Sequence, residues 1–286
     1  MMLLEDRVVV ITGAGRGIGR AEALRCAEEG ARVVVNDLGC ARDGTGYDEA
    51  PAREVVAAIE ARGGRAVASF DDVRTSEGAE RLVATAVATF GGLDGLINNA
   101  AIVRDAGALK LDDETFDAVL AGLLGSSLRV SRAAARQMVA QRRGGHIVMT
   151  TSTVGFTGNF QQSNLAAASA GVYGLARALA LELKKHNIRV NMLAPTARTR
   201  LNEDLPMFGP GGLTEATYGP QFVAPAAVFL LSHLCGELTG EALSVAGTRL
   251  TTWAMRESFG VVGDDPKTPW SPEAIAAQWD AISRSR

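Results

Sequence analysis

The sequence has only three cysteines and three histidines among its 286 residues, a net charge of just −3, and no long apolar run. Cys26, Cys40 and Cys235 lie far apart. They form neither a disulfide framework nor a metal-ligand spacing, which fits a reducing compartment. His146, His186 and His233 are not paired at ligand spacing either, so no metal site is expected. A slightly acidic balance gives no electrostatic reason to bind nucleic acid or an anionic membrane. No apolar stretch reaches membrane-spanning length. In "MMLLEDRVVV", Glu5, Asp6 and Arg7 stand where a signal peptide would be apolar. These absences together lead us to expect a cytoplasmic protein with no metal, nucleic-acid or membrane partner.

The chain does have hydrophobic residues (47%) and 32 glycines, enough for a sizeable core. Continuously apolar, β-branched runs such as "RVVVITG" (7–13), "ARVVVND" (31–37), "GGHIVMTTS" (144–152) and "IRVNMLAPT" (188–196) alternate with alanine-rich helical patterns. Strands that are apolar throughout are those covered on both faces. The expected fold is α/β: a single-domain, Rossmann-type, doubly wound parallel sheet of seven strands with helices on both faces. Residues 1–250 would form that domain. Residues 251–286 would form an extension, packed on the same domain or at a subunit interface. In the extension, Ser271 reads as an N-cap followed by Pro272 at the first helical position, with Trp270 and Trp279 as apolar anchors.

"VVVITGAGRGIGRAEAL" places Gly13, Gly17 and Gly19 between the first strand and the first helix. Glycines there let a pyrophosphate approach the helix N-terminus, where free N–H groups and the helix dipole favour anions. Arg16 and Ile18 belong to the same loop. Asp37 ends the second strand eighteen residues after Gly19. A carboxylate at that distance bonds the adenosine ribose diol and repels a 2′-phosphate, so NAD(H) is expected over NADP(H).

"TGAGRGIG", "DDV" (71–73), "NNAA" (98–101), "STVG" (152–155) and "NMLAPT" (191–196) occur in the order of the short-chain dehydrogenase/reductase family, which the chain resembles over residues 7–250. "VVVNDLG", "GFTGNF", "APTARTRL", "PQFVAP" and "SPEAIAAQW" resemble one branch more closely. That branch is the (3R)-hydroxyacyl-CoA dehydrogenase unit of peroxisomal multifunctional enzyme type 2 and its bacterial relatives. The resemblance implies that Asp72 and Val73 flank the adenine, that Asn99 and Ala100 line the cofactor cleft, and that Pro195 contributes to it. Ala101 and Thr196 replace residues that are commonly Gly in the family, adding side-chain atoms beside the cofactor.

The family's proton relay is Ser, Tyr, Lys and Asn. A phenol near pKa 10 needs adjacent positive charge to work near neutral pH. Here Ser152 keeps the Ser position. Leu165 stands at the Tyr position, Ser169 at the Lys position and Gly122 at the Asn position, and no Tyr-x-x-x-Lys occurs anywhere in the chain. Tyr173 lies eight residues past Leu165, about 12 Å along a helix, too far to substitute. Three readings follow. The first is a non-catalytic subunit with an NAD-type site, associating as a homodimer or tetramer, or with an active homologous chain, through helices near 111–138 and 160–184. The second is a redox-neutral cyclase, dehydratase or isomerase binding a small molecule through groups such as Thr150, Thr151, Asn159, Gln161, Gln162, Ser163 and Asn164. The third is an NAD-dependent oxidoreductase acting on a hydroxyacyl-CoA or steroid-like substrate with another proton relay. Cofactor binding is weakened or lost in some of these.

Overall fold

The computed structural model describes residues 2–209 and 211–284. The chain forms two compact units, one running to Thr252 and one starting at Trp253. The larger unit is an α/β sheet structure. Its strands are β1 (Val8–Thr12), β2 (Arg32–Asn36), β3 (Arg65–Ser69), β4 (Gly95–Asn98), β5 (Gly145–Thr150), β6 (Ile188–Thr196), β7 (Ala242–Ala246) and β8 (Arg249–Trp253). They lie in the order β3-β2-β1-β4-β5-β6-β7-β8. Neighbours from β3 through β7 all pair in parallel, with Val10 opposite both Val34 and Leu96. Every residue of β1 and β4 is buried, as the apolar runs require.

The sheet has eight strands, one more than the sequence pattern predicts. The additional β8, "RLTTW", is largely exposed and polar, so it lacks the apolar signature that marks the others. It follows β7 after only Gly247 and Thr248, a connection that suits antiparallel neighbours.

The helices of this unit are α1 (Gly17–Glu28), α2 (Ala50–Glu60), α3 (Ser76–Phe90), α4 (Asp113–Leu120), α5 (Ser126–Gln141), α6 (Val154–Thr157), α7 (Ser163–Leu183), α8 (Glu215–Tyr218) and α9 (Ala224–Leu231). Local signals set several ends. The Thr75 hydroxyl accepts the Gly78 N–H at the start of α3, and Gly91 closes that helix at φ 83°. Asp112 caps α4 by accepting the Thr115 N–H at 2.7 Å. Between α4 and α5 the chain makes a single π-helical turn, Ala121–Gly125. Such a turn takes up one extra residue within an otherwise continuous helical path.

The second unit carries α10 (Pro272–Ala277) and α11 (Trp279–Ser283). Ser271 caps α10 as expected, accepting the Ala274 N–H at 3.1 Å, with Pro272 at the first position. Trp270 and Trp279 are exposed rather than buried anchors, at 42% and 59%.

Order along the sheet reverses at β1, whose neighbours β2 and β4 lead to opposite edges. Loops diverge there, and a crevice opens at the carboxyl ends of the strands.

Candidate functional site

A pocket of about 900 Å³, partly open to solvent, sits in that crevice. Gly13 and Gly17 form its floor with φ of +63° and +53°, a conformation that disfavours side chains. A Cβ on Gly13 would come within 2.9 Å of the Ala100 Cα. Thr12 ties the two central strands together. Its hydroxyl accepts the N–H groups of Asn99 and Ala100, both at 3.0 Å. The Asn99 amide in turn donates to the carbonyls of Thr12 and Gly13 at 3.1 Å.

Gly19 lies beneath the pocket, not on its wall. A Cβ there would overlap the Gly13 carbonyl and stand 2.5 Å from Asn99 Nδ2. Its role is close helix packing. Gly19→Ala is expected to cost about 1–3 kcal/mol, the usual penalty for overpacking, read as a lower urea midpoint. An unchanged midpoint would mean α1 can back away freely.

The Asp37 carboxylate is buried at one end of the pocket. Oδ2 accepts the Gly15 N–H and Oδ1 the Gly39 N–H, each at 2.7 Å. A carboxylate has about four lone-pair positions, so two stay available. Asn36 reaches across β3, donating to Ser69 Oγ at 3.2 Å and the Asp71 carbonyl at 3.0 Å, which fixes the turn carrying Asp72 and Val73. Asp72 holds Arg74 through Nε at 2.9 Å and Nη2 at 2.8 Å. Burial alone would raise the Asp72 pKa, but the bonds from Arg74 outweigh it and hold it low.

Part of the pocket lining is apolar. Ala100, Ala101 and Ile102 continue from β4 and face Gly122 in the π turn. Ile102 crowds position 122: a Cβ there would stand 3.0 Å from Ile102 Cγ1, so Ile102 would have to shift slightly to admit a side chain.

Gly122 lines this pocket, but the other three relay positions, Ser152, Leu165 and Ser169, lie off its walls. Ser152 Oγ accepts the Val154 N–H at 3.2 Å. Leu165 is half-buried on α7. Ser169, one turn on, has no exposure, and its hydroxyl finds no partner among the described residues. The Thr150 hydroxyl is likewise buried and unpaired. Gly155 allows this packing, since a Cβ there would stand 2.7 Å from Ser169 Cβ. Tyr173 is buried edge-on against Phe156, with ring centroids 5.1 Å apart.

The pocket therefore brings together Gly13, Arg16, Gly17, Ile18 and Asp37 with Asp72, Val73, Asn99, Ala100 and Gly122. Gly19, Pro195, Ser152, Leu165 and Ser169 do not line it, nor does Thr196. Three polar residues considered for substrate are already engaged. Asn159 donates to Gln162 at 2.7 Å, Gln162 donates to Asp105 at 3.0 Å, and Asn164 donates to the Arg104 carbonyl at 2.8 Å. Sequence reasoning missed Thr12 and Asn36, and also the lining residues Leu38, Cys40, Arg74, Ile102 and Arg200. Among the described residues, no group of three or more His, Cys, Asp or Glu is placed to hold a metal ion.

A family model described as short chain dehydrogenase matches residues 7–206, well over half of the sequence. The chain belongs to the short-chain dehydrogenase family. A short-chain type dehydrogenase/reductase of Mycobacterium tuberculosis is 44% identical over 280 residues, covering 98% of this chain and 95% of that protein. Mouse peroxisomal multifunctional enzyme type 2 is 40% identical over 278 residues, 97% of this chain but 37% of that longer protein. The crystal structure of a short chain dehydrogenase from Mycobacterium avium superposes with a TM-score of 0.84 at 36% identity, covering 99% of this chain and 97% of that one.

Membership of the short-chain dehydrogenases implies a nicotinamide dinucleotide, and the pocket's residues suit one. Gly13 and Gly17 form a side-chain-free cradle at the start of α1, and Asp37 offers free lone pairs beyond it. Ala100, Ala101 and Ile102 add apolar lining, and neither Leu165 nor Ser169 contributes a group to the pocket.

Proposed function

We propose that the chain is a short-chain dehydrogenase-like protein that holds an NAD-type dinucleotide without the Tyr/Lys proton relay, and that it serves as a non-catalytic subunit beside an active dehydrogenase. One observation carries this reading. The two positions where the resemblance places the relay hold Leu165 and a fully buried Ser169, neither of which can exchange a proton near neutral pH. The third position holds Gly122, which has no side chain to anchor a water and is crowded by Ile102. Losing a positioned acid/base costs about 10²–10⁴ in rate.

NAD(H) is proposed over NADP(H) because the Asp37 carboxylate would face a 2′-phosphate as a like charge. The intact cradle also favours a second reading, an oxidoreductase for a hydroxyacyl-CoA that relays its proton through another group. Calorimetric titration with NADH and NADPH, followed by assay of the purified chain with 3-hydroxyacyl-CoA, separates the two. Saturable binding of NADH over NADPH without turnover supports the silent subunit. Binding with turnover supports the second reading. No heat with either dinucleotide at millimolar concentration overturns both. Co-purification with a homologous active chain would identify the partner.

A further inference from the structure

The long loop after β2 does not lie open. It folds back on itself, with the Ala41 N–H donating to the Thr45 carbonyl at 2.7 Å and the Gly44 N–H to the Ala41 carbonyl at 3.1 Å. It then reaches loops that follow two other strands. The Arg42 carbonyl accepts the Val103 N–H at 3.0 Å, and Arg104 Nε donates to the Asp43 carbonyl at 2.8 Å. The Arg42 guanidinium spans both sides: Nη1 meets Asp204 Oδ2 at 2.7 Å and Nη2 lies 3.7 Å from Asp105 Oδ2. Arg200 adds a bond to the Cys40 carbonyl at 3.0 Å. Cys40 and Gly44 line the pocket from this loop, and a Cβ on Gly44 would meet Ile102 Cγ2 at 3.1 Å. Ile102 is thus wedged between the loop tip and Gly122.

We infer that residues 40–46 form a retention strap across the pocket, latched by Arg42 between Asp105 and Asp204 and seated on Ile102, and that the strap sets how slowly a bound dinucleotide leaves. The retention role rests on the dinucleotide reading above; the latch itself does not. A strap tied at one end only would open with ordinary loop motion. Ties to the loops after β4 and β6 require three segments to part before the pocket opens. Arg suits the latch because its fork presents two nitrogens to two carboxylates, whereas Lys offers one compact charge. The same arrangement gives Gly122 a use: the empty side-chain position admits the isoleucine on which the strap tip rests.

Two measurements on the full chain test this. Amide hydrogen exchange on the ligand-free protein compares wild type with Arg42→Ala, with Arg42→Lys, and with Arg62→Ala, which removes a surface pair with Glu28 elsewhere. Arg42→Ala is expected to speed exchange in residues 40–46, 101–106 and 200–205 together, Arg42→Lys to do so partly, and Arg62→Ala to leave them unchanged. Unaltered exchange in Arg42→Ala overturns the latch whatever the pocket binds. Stopped-flow release of NADH then reads retention, with dissociation from Arg42→Ala expected about two- to fivefold faster and association little changed. Loosened exchange with unchanged dissociation overturns the retention role and leaves the dinucleotide reading standing. Failure of the wild type to bind NADH overturns that reading and the retention role with it, while the exchange result still judges the latch.

Discussion

Installing the relay is expected to turn the chain into a dehydrogenase: Leu165→Tyr combined with Ser169→Lys should raise oxidation of a 3-hydroxyacyl-CoA by NAD about 10²–10⁴-fold over wild type, the range that a positioned acid/base supplies. The single variants should give little. A tyrosine without its lysine stays near pKa 10 and ionises poorly at neutral pH, and a lysine without the tyrosine has no phenol to tune. Their effects should therefore combine far beyond additivity. Position 169 is the harder of the two. Ser169 is fully buried with Gly155 against its Cβ, so a lysine stem must leave that packing toward the pocket. A thermal melt within a few degrees of wild type would show that it does. Adding Gly122→Asn should not help by itself, because Ile102 crowds the site. It should help only together with Ile102→Ala. NADH production is the readout. A folded double variant that binds NADH and turns over no faster than wild type would place the loss of activity elsewhere, in a reshaped substrate cleft.

Much of this site is visible in the sequence because its determinants are local. Gly13 and Gly17 follow an apolar strand and open a helix, and Asp37 ends the next strand, so backbone geometry fixes their meeting. The parts that were not visible depend on partners far along the chain. Thr12 reads as the end of a strand, yet its hydroxyl holds N–H groups at Asn99 and Ala100. Asn36 reads as part of a strand, yet its side chain anchors the Asp71 carbonyl in the turn that follows β3. The latch of the loop after β2 leaves no local signal, since it joins Arg42 to Asp204 across 162 residues. β8 fails for the opposite reason: an exposed edge strand needs no apolar run. Position 122 shows both sides. The departure from the family pattern is legible, but that Ile102 crowds the position follows only from packing.

Helix α1 hides a carboxylate that its sequence presents as surface. Its buried face is Gly19, Glu22, Ala23 and Cys26, at helical spacing, so Glu22 occupies a core position. Glu22 has no exposure, and neither oxygen finds a partner among the described residues. Burial pushes its pKa from 4.5 up to about 8, and its proximity also helps raise the Cys26 thiol. At neutral pH the folded protein therefore keeps a proton that the unfolded chain releases. Below pH 4.5 both states hold it and the group costs no ionisation. From 4.5 to about 8 stability falls as pH rises, by a few kcal/mol in all, and above that the dependence flattens. His146 acts in the other direction over part of this window. Burial lowers its pKa from 6.5 to about 4, so its contribution is lost as pH falls through that interval. The two effects oppose each other below 6.5, and between 6.5 and 8 Glu22 acts without that offset. Glu22→Gln and Glu22→Leu should both raise the urea midpoint most at pH 8 and remove the decline between 6.5 and 8. The leucine variant, which buries no polar group, should gain the most, about 2–4 kcal/mol. Urea denaturation at closely spaced pH values decides it. An unchanged slope in both variants would mean that Glu22 reaches water or a cation in the folded protein. A loss of stability in the leucine variant at every pH would mean that the carboxyl makes a bond the core depends on.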